Sequence, residues 1–501
     1  MEKPELDFDT IDMAALQPLI ASRALSARDL VEHCLQRIDA LDGRVNAVIE
    51  LNPDAMEIAE GLDRDLPETG LKGPLHGLPV LIKDNIDTGD RMTTTAGSLA
   101  LAGSSAKSDA AVARRLRAAG AVILGKTNLS EWANYRSSRS TSGWSSRGGQ
   151  TWNPYALDRT PGGSSSGSAV AVACGFAAAA VGTETDGSIV SPSSMNSIVG
   201  IKPTVGLVSR TGIVPISHSL DTSGPMARSV ADAALVLGAM AGSDPEDPAT
   251  VDADVRRSAD YTAFLDIEGL DGARIGVPPD LAGFGMGIER IFDDAVAAMR
   301  DAGATIVDIP DMPSRSDVGP HASIVLQTEF KAGLNVYLGR RGPDIRVHSL
   351  EELIVFNKAN KDKVMPYFPQ DLFEKSALRG GLDDLDYLEA RKTCLRLTRE
   401  EGIDRALSEH RLDALAGPTI DAPWLIDWVS GDNRCGSTSY LAAISGYPSI
   451  TVPAGYRVGL PVGISFIASA WQEPTLIRLA YAFEQATKVR TPPTFRETVA
   501  F

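Results

Sequence analysis

The chain is poor in the residues that build metal centres and disulfide frameworks. Four cysteines (Cys34, Cys174, Cys394 and Cys435) are scattered through 501 residues, with no Cys-x-x-Cys pair and no histidine at ligand spacing. That excludes a disulfide scaffold and a zinc module, and buried thiols are the expectation. The six histidines form no HExxH or HxH motif, so no metal site is expected. Positive charge is also scarce. A net charge of −17 argues against nucleic acid as the main partner, because phosphate contacts need Lys and Arg. Long apolar runs are missing too: the charge-free run Ala169–Gly182 falls short of the about 20 residues that span a bilayer. The opening MEKPELDFDT lacks the basic-then-apolar pattern of a signal peptide. The expectation is a soluble, cytoplasmic protein with no membrane partner.

Three signatures of common enzymes are absent as well. Gly162-Gly163-Ser164 is followed by no GKS or GKT and no GxGxxG is found there, which excludes a P-loop or a dinucleotide fingerprint at that point. The serines sit in no GxSxG elbow. His218 lies near them in sequence, but with no supporting motif it reads as a structural histidine.

What is present is a stretch from Pro161 to Pro203, PGGSSSGSAVAVACGFAAAAVGTETDGSIVSPSSMNSIVGIKP. Small residues dominate it, and its glycines let backbone approach backbone or a ligand closely. It reads as the floor of an active site. Around it, helices and strands alternate. Ser26-Ala-Arg-Asp29 opens a helix as a capping box. Val80-Leu-Ile-Lys83 is an apolar strand ending on lysine, Asp109–Gly120 an amphipathic helix, and Ala121–Leu124 the next strand. Strand text recurs at Ala178–Thr183, Ile198–Lys202, Ala273–Val277, Thr305–Ile309, Leu412–Ala416, Ser449–Pro453 and Val462–Ile467. This rhythm predicts an α/β fold: a large mixed, mostly parallel sheet covered by helices on both faces. Residues 1–501 read as one domain, with core motifs at about 70–240 and 410–490 and a charged helical excursion at about 322–408.

Lysine and serine are the chemistry that remains. A Lys after three apolar residues either snorkels to water or sits desolvated with a lowered pKa, able to act as a base. A hydroxyl needs such a base to become a nucleophile. The turn Thr185-Asp186-Gly187-Ser188 can aim backbone N–H groups at an oxyanion. Composition alone does not choose among Ser164, Ser165, Ser166, Ser168 and Ser188.

Six segments, in order, carry a resemblance: GLPVLIKDN (77–85), GKTN (125–128), GGSSSG (162–167), GTETDGS (182–188), GIKP (200–203) and GYPSITVP (446–453). Together they resemble the amidase signature family, over roughly residues 10–490. The resemblance implies an amide hydrolase with a Ser–cis-Ser–Lys triad and no cofactor. Ser188 would be the nucleophile, Ser164 the bridging serine with a cis bond to Gly163, and Lys83 the base. Backbone N–H groups of Thr185, Asp186, Gly187 and Ser188 would form the oxyanion hole.

Departures narrow the branch. Most members carry Gly-Gly-Ser-Ile-Arg where this chain has Asp186-Gly187-Ser188-Ile189-Val190, and a glycine where Ser166 stands. The Asp-Gly-Ser-Ile-Val form, with the runs KTNLSEWANYR and SGWSSRGGQT, is similar to bacterial peptide amidases, which convert C-terminal peptide amides to acids and ammonia. Asp186, Trp132, Tyr135 and Trp144 would then bind substrate. Partners beyond a small or short peptide amide are not expected. The alternatives are aryl amides, carbamates or other small amides as substrate, or membership of a tRNA-dependent amidotransferase complex as its amidase component.

Overall fold

Alternation within one strand sets the frame. The computed structural model describes residues 11–282, 285, 287–343, 345–434 and 436–500. In it Pro79–Lys83 is a strand buried along its whole length. Val80 and Ile82 face one apolar cluster and Leu81 the other, because successive side chains on a strand point to opposite faces. A strand covered on both sides needs a continuous apolar run, and Val80-Leu81-Ile82 supplies one. Cys435 and the opening ten residues, with the expectations placed on them, lie outside the described residues. Cys34, Cys174 and Cys394 are buried.

In chain order the strands are β1 (Val48–Leu51), β2 (Pro79–Lys83), β3 (Val122–Thr127), β4 (Trp144–Ser145), β5 (Gly149–Gln150), β6 (Ala179–Glu184), β7 (Val199–Lys202), β8 (Thr222–Ala227), β9 (Arg274–Val277), β10 (Thr305–Asp308), β11 (Ala414–Pro418), β12 (Ser449–Arg457) and β13 (Leu460–Ile467). β4 and β5 pair with each other. The rest form one 11-stranded sheet in the order β1-β3-β2-β6-β8-β7-β12-β13-β11-β9-β10.

The sheet is mixed, but the expectation that it is mostly parallel is corrected. β2 runs parallel to β3 and β6, and β9 parallel to β10 and β11. The middle of the sheet, β6-β8-β7-β12-β13-β11, is antiparallel throughout. The βαβ rhythm was readable only where a helix links neighbouring strands. β12 and β13 instead form a hairpin whose turn passes through Gly459 at φ +78, and β12 pairs with β7 from far along the chain.

β8 is the strand that the sequence conceals. Its text, TSGPMA, puts Pro225 opposite Val181 in the interior of the sheet, and proline argues against a central strand. Gly224 has its own reason: a Cβ there would lie 2.0 Å from the Ile201 carbonyl oxygen.

Helices close both faces. Ser166–Ala173 is buried at every residue and packs on the Leu81 side. Val230–Met240 and Glu473–Thr487 cover the other side. The helical excursion runs from Arg315 to His410, wider than expected. Its first helix, Arg315–Arg340, starts at a capping box made by Ser314 and Asp317. The capping box at Ser26 forms as expected, with Asp29 at its third position. Among the described residues, no helix is long and apolar enough to cross a membrane.

Candidate active site

Strand alternation also aims Lys83. It follows Ile82, so it points to the Leu81 face, where the helix Ser166–Ala173 begins. Its Nζ donates to Ser164 Oγ at 2.8 Å and to Thr183 Oγ1 at 2.8 Å, with the Thr183 carbonyl at 3.3 Å. Asn85 donates to the same Thr183 hydroxyl at 3.0 Å. Thr183 reaches Lys83 because β6 runs beside β2 in parallel register, with Ile82 opposite Val181.

Lys83 is wholly buried, and that burial pushes its pKa from 10.5 down to about 7, against the pull of Asp221 and Glu184. A lysine in that range is neutral for part of the population at neutral pH and can accept a proton. Of the two readings open from sequence, the desolvated lysine holds and the snorkelling one does not.

The serines divide by their contacts. The Gly163–Ser164 peptide bond is cis, and the Ser164 carbonyl accepts from Ser130 N–H at 3.1 Å. Ser165 Oγ bonds across to the backbone of Thr183, Ser166 Oγ donates to the Gly162 carbonyl, and Ser168 Oγ pairs with Thr127. Those three hydroxyls hold the fold together. Ser188 sits in the turn between β6 and the helix Val190–Met195. It keeps 8% of its surface exposed, whereas Ser164 and Lys83 have none. The Ser165 N–H donates to the Ser188 carbonyl at 3.1 Å, which ties the two serine segments together.

Two carboxylates brace this turn. Glu184 accepts from the N–H groups of Ile189 at 2.7 Å and Val190 at 3.0 Å. Burial raises its pKa, and the Lys202 ammonium opposes the rise. Asp221 accepts from Thr185 Oγ1 at 2.6 Å and from the N–H groups of Ile216 and Ser217. Gly187 turns the chain at φ +81, and a Cβ there would crowd Ser191 and Ser439 at 2.8 and 3.0 Å. Replacing Glu184 by alanine leaves two buried N–H groups unpaired, at a cost of about 3 kcal/mol in stability. A lowered denaturant midpoint at unchanged m-value is the expected result; an unchanged midpoint would show that the brace contributes nothing.

Beside this turn opens a cleft of 160 Å³, lined by Gly162, Gly163, Asp186 and Ser191 together with Trp424 and Arg434. Asp186 lines it, and both its oxygens are already engaged: Ser439 donates to one at 2.6 Å and Arg315 pairs with the other at 3.1 Å. Trp132, Tyr135 and Trp144 are not brought to this cleft. Trp132 packs edge-on against Phe373 and Tyr135 against Phe330. Trp144 sits among Tyr367, Phe368 and the Arg136 guanidinium. His218 is half-exposed, 3.4 Å from Glu329, and takes no part in the serine cluster.

Sequence reading missed Thr183, Asn85, Glu184 and Asp221. The first three lay within the segments quoted above and could have been singled out there. Arg315, Trp424, Arg434 and Ser439 arrive from remote segments that carry no local signal. Among the described residues, no group of His, Cys, Asp and Glu could hold a metal ion.

Comparison with known proteins gives one consistent result. A family model described as Amidase matches residues 29–477. The X-ray structure of native peptide amidase from Stenotrophomonas maltophilia is similar at 50% identity and a TM-score of 0.91, covering 97% of this chain and 98% of that one. A probable amidase of Arabidopsis thaliana is 42% identical over 94% of this chain and 89% of its own length. A component of the glutamyl-tRNA(Gln) amidotransferase of Pseudomonas aeruginosa is 35% identical over 97% of this chain and 99% of its own.

Proposed function

The chain belongs to the amidase family, and from that premise we propose that it hydrolyses the C-terminal amide of peptides through an acyl-enzyme on Ser188. The observation that carries the reading is the contact of Lys83 Nζ with Ser164 Oγ at 2.8 Å in a fully buried setting. Neutral Lys83 takes the proton of Ser164, and Ser164 takes that of Ser188 as its oxygen attacks the amide carbon. Backbone N–H groups of the turn Thr185–Ser188 hold the developing oxyanion. The proton returns through Ser164 to the departing nitrogen, which leaves as ammonia. Water attacks the ester so formed by the same relay, releasing the carboxylic acid and restoring Ser188.

The peptide amide is favoured over other amides by the 50% identity to peptide amidase and by the cleft. Trp424 and Ile420 offer apolar walls, while Arg434 and the Arg315–Asp186 pair offer polar ones. The amidotransferase reading rests on relatives at 35% identity and would require partner proteins.

Mass spectrometry of an N-acylated tripeptide amide incubated with the purified chain tests this reading, with an aryl anilide in parallel. Free acid and ammonia, with internal bonds intact, are expected. Turnover of the anilide alone would move the substrate to aryl amides. Turnover of neither by the isolated chain would favour the partner-dependent reading.

A further inference from the structure

The cleft is too small for a whole peptide. Its 160 Å³ lies below the roughly 300 Å³ of the smallest sites that enclose a complete small ligand. It takes the amide-bearing end of a peptide and leaves the upstream residues outside. The segment from Trp424 to Arg434 has both its ends in the cleft lining and carries Trp428 and Val429 between them. Trp428 stacks on Tyr367 of the helical excursion, with ring centroids 5.1 Å apart and planes at 16°. Trp428 is 36% exposed, Tyr367 42% and Val429 87%. Two large rings stacked in the open, with a valine next in the chain, form an apolar surface that a ligand can take out of water.

Hydrogen bonds join this surface to the cleft. The Trp428 indole N–H donates to Gln150 Oε1 at 3.0 Å, and Gln150 Nε2 donates to the Ser142 carbonyl at 2.9 Å. Ser142 lines the cleft, so a single glutamine side chain links the ring to it. The tip of the segment is fixed as well. Asp427 accepts from the N–H groups of Val429 and Ser430 at 2.8 and 2.9 Å, and the Thr141 hydroxyl donates to the Asp427 carbonyl at 2.8 Å. Trp144 meets Tyr367 edge-on, with centroids 5.6 Å apart. A surface held in this way loses little freedom when a ligand settles on it.

We propose that the Trp428–Tyr367 stack is a subsite for the substrate peptide, which takes an aromatic or large aliphatic side chain one or two residues before the one that bears the amide. The occupant follows from continuity. A peptide that reacts in the cleft must leave it with the rest of its length, and the rings lie one glutamine away. The inference rests on the peptide amide reading and adds a side-chain preference to it.

Calorimetric titration of the whole chain carrying Ser188→Ala tests it, with three peptides that share one reacting end. These are acetyl-Phe-Gly-Ala-amide, acetyl-Gly-Phe-Ala-amide and acetyl-Gly-Gly-Ala-amide. At least one Phe peptide is expected to bind about tenfold or more tighter than the Gly-Gly peptide, the scale of burying one aromatic side chain. Adding Trp428→Ala brings all three to within about twofold of one another. Val429→Asp, at a position whose side chain stands in water, lowers the preference in the same sense and serves where the tryptophan variant does not fold. Equal binding of the three peptides, no binding of any, or a Phe preference that survives both substitutions would overturn the subsite. Turnover is read separately on the chain with Ser188 intact. A Phe preference in binding without ammonia release would keep the subsite and sink the peptide amide reading; ammonia release with no preference would do the reverse.

Discussion

Replacing Ser188 by alanine abolishes amide hydrolysis, with a loss of about 10⁴-fold or more, the scale seen when a nucleophile is removed from a group that acts as a unit. The fold survives, because the contact that anchors this residue runs through its carbonyl to Ser165 N–H at 3.1 Å, and alanine keeps that carbonyl. Two measurements check the result. Ammonia release gives the rate, and intact-mass analysis after rapid quenching shows whether an acyl group accumulates. The wild type gains the acyl mass on the peptide that contains Ser188, and Ser188→Ala gains none. Turnover within tenfold of wild type would assign the nucleophile elsewhere in the serine cluster.

Lys83→Met removes the base while keeping a side chain of similar length, and activity falls by a comparable factor. Lys83→Arg fails too, because a guanidinium stays protonated. In the wild type the pH profile carries the same information. Lys83 must be neutral to take a proton, and burial pushes its pKa down to about 7. Activity therefore rises with pH on the acid side of about 7 and levels off above it. A flat profile across that range, or a Lys83→Met variant with wild-type rates, would remove Lys83 from the mechanism.

Stability shows the opposite face of that shift. In the unfolded chain the lysine binds its proton up to its ordinary value of 10.5, whereas in the folded chain it does so only up to about 7. Between those values the unfolded state holds the extra proton, so wild-type stability rises with pH across the window. Lys83→Met has no such group. The Tm difference between variant and wild type thus moves in favour of the wild type from about pH 7 upward. A constant difference would mean that the lysine is not desolvated in the folded state.

The sequence alone determined a good deal of this molecule, and for local reasons. The run Val80-Leu81-Ile82 read as a buried apolar strand ending on Lys83, while whether that lysine reaches water or lies buried against the helix Ser166–Ala173 was left to the structure. Small residues from Pro161 to Pro203 marked a stretch where chain segments approach one another closely. Ser26 and Asp29 declared a helix start through two hydrogen bonds confined to four residues. Each of these properties is decided within a few residues of chain, by sterics or by side-chain-to-backbone bonding.

Only the tertiary structure brought a second hydroxyl, that of Thr183, to Lys83 beside Ser164, through the pairing of β2 with β6, and no residue of either strand names the other. It also placed β8 in the middle of the sheet despite Pro225, because burial between β6 and β7 outweighs a weak local preference. It drew Trp132, Tyr135 and Trp144 away from the cleft into contact with rings of the helical excursion, and it brought Arg315 and Ser439 onto Asp186. Apart from the pairings of β8, these contacts join segments a hundred or more residues apart. They follow from how the whole sheet and its covering helices exclude water together, and no window of sequence contains both partners.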